Sequence, residues 1–135
     1  MTRVLVDTGF LVALFRPSDR LRKHAREHLL ANRHTLVTAA PVIVETCFFL
    51  DAVAKGKLFE WVLRGALEVA DVPVSAYTDI TSILHKYADQ QADFADAALV
   101  WLANQTGIRG VLTVDEADFS VYRLKGGKRF ELVKW

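Results

Sequence analysis

Two short apolar runs that each end in a carboxylate constrain this chain more than any other feature of its sequence. Arg3-Val4-Leu5-Val6-Asp7-Thr8-Gly9 opens the chain, and Gly110-Val111-Leu112-Thr113-Val114-Asp115 stands near its end. Runs of this kind, bounded by turn residues, read as strands of a parallel sheet covered on both faces. In open α/β sheets ligands gather at the carboxyl ends of such strands. Asp7 and Asp115 are therefore expected at one edge of one sheet.

The residues between these runs alternate helical and extended patterns. Thr8 to Arg16 reads as a short apolar helix, stopped because a residue before Pro17 is pushed out of the helical region. Ser18 or Asp19 is expected to cap a second helix. It carries Leu21, Ala25, His28, Leu29 and Asn32 at helical spacing, with Arg20, Arg22, Lys23, Arg26 and Glu27 on other faces. Thr35 to Thr38 is a strand, and Pro41 opens a helix over Val42 to Ala54 that ends near Gly56. Lys57 to Ala70 follows as another helix, then a short strand over Asp71 to Val74 and a helix from Ser75 to about Asp89. A polar link leads to a helix over Ala95 to Thr106, closed by Gly107. After the strand at Gly110 come a turn at Asp115 to Phe119, a basic segment from Arg123 to Arg129, and a last strand over Phe130 to Val133. Strands alternating with helices imply an α/β layer fold with a mainly parallel central sheet.

A length of 135 residues is expected to form one domain over residues 1–135. Folding at this size buries roughly two-thirds of the surface exposed by the unfolded chain. No apolar run approaches the ~20 residues of a membrane span, and the amino terminus is a strand with an early Asp, not a secretory signal. A cytoplasmic protein without a membrane partner is expected. Cys47 is the single cysteine, which excludes an internal disulfide and a cysteine-based zinc cluster. A net charge of +1 argues neither for nor against nucleic acid.

Most acidic residues suit helix caps or solvated faces, but four do not. Asp7 and Asp115 end apolar strands, Glu45 interrupts the apolar helix Pro41 to Leu50, and Asp96 opens the apolar stretch Asp96 to Ala103. A buried carboxylate is costly unless paired or bound to a metal. No basic residue lies within Leu36 to Leu50 or Ala88 to Asn104 to neutralise Glu45 or Asp96 locally. One metal ion would neutralise several acids together, and oxygen-only ligands favour Mg2+ or Mn2+ over zinc or copper. Such ions orient phosphates, generate hydroxide from bound water and stabilise a leaving oxygen.

With these residues in place the chain resembles the PIN domain, and in its small form the VapC-type toxins. The resemblance rests on Asp7-Thr8-Gly9 after a first strand, Glu45 in an apolar helix, Asp93-Phe94-Ala95-Asp96-Ala97-Ala98 opening a later helix, and Leu112-Thr113-Val114-Asp115-Glu116-Ala117-Asp118-Phe119 after a late strand. It implies a three-layer α/β/α sandwich and a Mg2+- or Mn2+-dependent endoribonuclease. It also implies an RNA substrate, a homodimer, and inhibition by a cognate VapB-type antitoxin. By position, Asp7, Glu45 and Asp96 take the three central acidic places and Asp115 a more variable fourth, as catalytic and metal-binding residues. Thr8 and Thr113 match hydroxyl positions beside the metal pocket. Asp93 and Asp118 are open between supporting group, ligand through water, and helix cap.

RNA binding beside so many acids needs cations. Two groups are candidates: Arg16, Arg20, Arg22, Lys23 and Arg26, and Arg123, Lys125, Lys128 and Arg129. The second is expected nearer the acids because it follows Asp115 and Asp118 closely in the chain. His24-Ala25-Arg26-Glu27-His28 formally matches a zinc pattern, but no third ligand follows. Two other functions compete with the toxin ribonuclease. One is a nuclease of the same fold acting in RNA processing or DNA metabolism without an antitoxin. The other is a non-catalytic interaction domain with structural acids.

Overall fold

The computed structural model describes residues 2–135. Its centre is a five-stranded sheet in the order β3-β2-β1-β4-β5, formed by β1 (Thr2–Val6), β2 (His34–Ala39), β3 (Leu67–Ala70), β4 (Gly110–Leu112) and β5 (Glu131–Leu132). Every neighbouring pair is parallel, with Leu5 opposite Val37 on one side and Val111 on the other. Val4, Leu5 and Val6 are all buried, as the unbroken apolar run requires of a strand covered on both faces.

Topology places the carboxyl ends of β1 and β4 at a point where the connections diverge. The chain steps from β1 to β2 to β3 in one direction, then crosses back past β1 to β4. Right-handed crossovers put α1 (Thr8–Phe15), α2 (Arg22–Ala31), α3 (Ala40–Cys47) and α4 (Ala52–Leu63) on one face, and α5 (Tyr77–Lys86) and α6 (Phe94–Thr106) on the other. A last short helix, α7 (Glu116–Val121), leads from β4 toward β5. The result is the three-layer α/β/α sandwich, with a crevice at the edge where β1 and β4 end. No helix among the described residues is long and apolar enough to cross a membrane.

Four expectations about local structure are corrected. The helix expected over Val42 to Ala54 breaks into α3 and α4. Phe48, Phe49 and Leu50 donate their N–H groups to carbonyls three residues back, which tightens and ends α3, and the Asp51 carboxylate accepts the Ala54 N–H at 2.8 Å to open α4. Gly56 therefore lies inside α4 and ends nothing. Leu67–Ala70 is a strand, because Gly65 turns the chain at φ 80° and Leu67 then buries against β2; Asp71 to Val74 forms no strand, and a 3-10 turn follows Pro73 at Val74–Ala76. Asp19 does not cap α2. Its carboxylate takes the Leu21 N–H at 2.8 Å, and the helix begins one residue later. Residues 116–121 are helical, with Asp115 as N-cap accepting the Asp118 N–H at 3.4 Å.

Close packing at the edge leaves no room for a side chain at Gly9. A Cβ there would stand 2.2 Å from Val114 Cγ2 and 3.2 Å from its Cβ, and valine is stiff at χ1. Gly9→Ala is expected to cost about 1–3 kcal/mol through overpacking. A melting curve of the purified variant checks it, and an unchanged midpoint would contradict the contact.

Candidate active site

Asp7 closes β1 and holds the N-cap position of α1, yet its side chain makes no capping bond. Instead its Oδ2 accepts the Thr113 hydroxyl at 2.8 Å, and Thr113 Oγ1 in turn accepts the Asp115 N–H at 2.9 Å. The Asp7 backbone N–H donates to the Leu112 carbonyl at 2.9 Å. These bonds tie the end of β1 to the end of β4. Asp7 is only 6% exposed, and burial raises its pKa to about 6. The Thr8 backbone N–H and the Thr113 hydroxyl oppose that shift, while the charges of Asp115 and Asp93 add to it.

Glu45 comes from α3 and Asp96 from the first turn of α6. The expectation that α3 is apolar and buried on nearly all sides is corrected, since Val44 and Phe48 face outward and Glu45 is half-buried. Glu45 is raised to about 7, by burial first and then by the neighbouring Asp93 carboxyl. Asp96 and Asp93 form a reciprocal capping box: the Asp96 N–H donates to Asp93 Oδ1 at 2.9 Å, and the Asp93 N–H to Asp96 Oδ2 at 3.3 Å. Asp96 is raised to about 7 by burial and by the charges of Asp93 and Asp7.

Asp7, Thr8, Glu45, Asp93, Asp96 and Asp115 line one cavity of about 410 Å³. Asp19 lines it as well, so its carboxylates arrive from five separate regions of the chain. Thr113 lies behind Asp7 as its hydrogen-bond donor, and Asp118 sits in the first turn of α7 with its pKa pushed up, by burial and then by Asp115. Tyr122 is a participant that the sequence did not disclose. Its ring is fully buried between Tyr87 and Phe119, and its hydroxyl donates to Asp96 Oδ2 at 3.3 Å. No local pattern connects residues this far apart in the chain.

The basic residues fall differently from the expectation drawn from chain proximity. Arg123 turns its guanidinium onto the carbonyls of Ser120, Val121 and Tyr122 at the end of α7. The Lys125 N–H is held by Asn104 Oδ1 at 2.8 Å, and positions 96 and 104 are about 12 Å apart along α6. Arg129 bridges to Arg123 and precedes β5, whose start is at the amino edge of the sheet. None of Arg123, Lys125, Lys128 and Arg129 lines the carboxylate cavity, because the chain after α7 descends toward the opposite edge. Arg20, from the other basic group, does line it.

The donor set suits a hard divalent cation. All candidate ligands are oxygen, burial holds three of the carboxyls above their ordinary range, and Thr8 Oγ1 is buried without a hydrogen-bond partner. That hydroxyl still lies near enough to Glu45 to favour its charged form. Among the described residues no three His, Cys, Asp or Glu side chains are already gathered to coordinate one ion. The histidine pattern on α2 offers no alternative centre: His28 Nε2 is 2.8 Å from His34 Nε2, and His24 is exposed.

Comparison with known proteins agrees with this architecture. The family model described as PIN domain matches residues 4–124. The chain is 33% identical to Ribonuclease VapC26 of Mycobacterium tuberculosis (strain ATCC 25618 / H37Rv), over 96% of this chain and 99% of that protein. The crystal structure of M. tuberculosis VapC20, a sarcin-ricin loop cleaving toxin, superposes with a TM-score of 0.71 at 22% identity, covering 80% of this chain and 86% of that one. A toxin-antitoxin complex from Klebsiella pneumoniae gives a TM-score of 0.62 at 17% identity, covering 87% and 91%.

The raised carboxylates predict how stability varies with pH. Folded Asp7, Glu45 and Asp96 keep protons that the unfolded chain releases near 3.8 and 4.5. Their contribution is complete below about pH 4 and is lost as pH rises through about 6 to 7. For Asp7 the shift corresponds to roughly 3 kcal/mol. In the absence of divalent metal, Asp7→Asn should therefore melt higher than the parent protein at pH 8 and nearly level with it at pH 4. Equal gains at both pH values would show that charge is not the cause.

Proposed function

The chain belongs to the PIN-domain family, in its VapC-type branch, and from that premise we propose that it is a Mg2+- or Mn2+-dependent endoribonuclease acting as the toxin of a type II toxin-antitoxin pair. The observation that carries this reading is the convergence of Asp7, Glu45, Asp96 and Asp115 on one cavity, with the first three held above the ordinary carboxylate range. These acids would hold the ion, with Thr8 and Asp93 beside them. Once bound, such an ion orients the phosphodiester, lowers the pKa of the attacking water and stabilises the leaving oxygen.

The chain's own groups set up that chemistry. Thr113 fixes the orientation of the Asp7 carboxylate at the lining of the cavity. The Asp93 N–H and the Tyr122 hydroxyl both bond Asp96 Oδ2, which leaves Oδ1 for a ligand. Arg20 supplies positive charge at the rim for the RNA backbone. An antitoxin that binds over this cavity would inhibit by presenting its own cation to Asp7 and Asp96. A homodimer and a cytoplasmic location complete the proposal.

Two measurements test it. Asp7→Asn, Glu45→Gln and Asp96→Asn should each abolish metal-dependent cleavage of RNA while keeping the fold. Changes one shell further out typically cost on the order of 10- to 100-fold, so direct ligands should cost at least that. Near-normal cleavage by Asp96→Asn would transfer its role to Asp93. Separately, Mg2+ or Mn2+ should raise the melting temperature of the parent protein by mass action, and the gain should shrink in Asp7→Asn. A flat titration in both would remove the metal from the reading.

A further inference from the structure

The carboxylate cavity is not lined by acids alone. Val12, Leu21, Phe49 and Val114 line it together with Arg20. Phe49 is 51% exposed and enters no ring–ring contact among the described residues. Its backbone is nevertheless fixed. The Phe49 N–H donates to the Thr46 carbonyl at 3.0 Å, the next residue, Leu50, is buried, and Asp51 caps α4 immediately afterwards. The turn that ends α3 therefore holds an unpartnered aromatic face against the cavity, four residues past Glu45.

Arg20 is held in a comparable way. The Asp19 N–H bonds the Arg16 carbonyl at 3.0 Å, the Arg22 N–H bonds the Asp19 carbonyl at 3.2 Å, and the Leu21 N–H bonds Asp19 Oδ1 at 2.8 Å. Among the described residues the Arg20 guanidinium joins no ion pair, although acids line the same cavity. Besides its carboxylates the cavity thus carries a guanidinium in no ion pair and a ring in no ring–ring contact. That combination is complementary to a single nucleotide, with its phosphate toward the cation and its base toward the ring. The volume of about 410 Å³ falls within the roughly 300–1,000 Å³ of small-molecule sites. Phe48 lines an adjoining cavity with Val44, Tyr77 and Phe94, which shares Glu45 and Asp93 with this one but not Arg20.

We infer that Phe49 stacks an unpaired base of the RNA beside the bond that is cut, with Arg20 on an adjoining phosphate. This rests on the ribonuclease reading. Within a duplex both faces of each base are covered by neighbouring bases, and a ring can engage one only after it leaves the stack. Stacking selects an unpaired strand without selecting its sequence, because every base has a π-face. Sequence preference would then come from contacts other than Phe49.

Steady-state cleavage with saturating Mg2+ tests the inference, using an RNA oligonucleotide that spans a mapped cut site, either alone or annealed to its complement. Phe49→Ala and Phe49→Leu should raise KM roughly 5- to 150-fold, the range expected for one base–aromatic stack, with little change in kcat. Phe49→Tyr should stay close to the parent protein, and annealing should suppress cleavage by the parent. Parent-like kinetics in Phe49→Leu, or equal cleavage of the annealed RNA, would overturn the inference. So would a loss in Phe49→Ala that follows a change in oligomeric state by light scattering, which would assign the ring to a protein contact. Asp7→Asn separates the two levels. If it is inactive while Phe49→Ala is normal, only the stacking role fails; if it cleaves as the parent does, the ribonuclease reading fails and the inference falls with it.

Discussion

The hydrogen bond from Thr113 to Asp7 is the contact on which the rest of the site depends. It joins the ends of two adjacent parallel strands whose connections leave in opposite directions, the one place in such a sheet where a crevice must open. Asp7 is nearly inaccessible there, and its Oδ2 accepts the Thr113 hydroxyl. Burial penalises its charge more than the hydroxyl and the Thr8 N–H relieve it. Asp7 thus joins two strand ends through a carboxylate whose charge a nearby cation would favour.

The same tension extends to its neighbours. Glu45 and Asp96 come from helices on opposite faces of the sheet, and α3 and α6 meet at the carboxyl edge. Each is raised by burial and by the other acids, so the folded protein at neutral pH carries a repulsion that the unfolded chain does not. The fold tolerates it because the surrounding core is apolar and extensive. Phe10, Leu11, Val42, Leu99 and Phe119 are fully buried around the strands that present the acids. Stability is thus given up locally where the acids gather, a pattern commonly found at sites with shifted pKa values.

Asp93 illustrates how one residue serves both structure and site. As N-cap it satisfies the Asp96 N–H, and as a charge it raises both Asp96 and Glu45. The reciprocal bond from its own N–H holds Asp96 Oδ2, and the Tyr122 hydroxyl holds it from the other side. Helix initiation and orientation of a cavity-lining carboxylate are therefore a single event at the start of α6.

The sequence by itself determined the parallel α/β class, because unbroken apolar strands alternate with helical periods, and it marked Asp7 and Asp115 as acids ending apolar strands and Glu45 and Asp96 as acids without local counter-charge. It could misread element ends where two patterns overlap. Ala66 and Val69 continue the helical period of α4 by coincidence, and only pairing with β2 makes Leu67–Ala70 a strand. Tertiary structure alone decided which cation and which ring share the cavity. Arg123 lies close to Asp115 in the chain but is carried toward the far edge by the descent after α7, whereas Arg20, Phe49 and Tyr122 reach the acids across the fold. Periodicity reports which residues are buried along one element, and proximity between elements depends on strand order and crossover hand, which no short stretch of residues encodes.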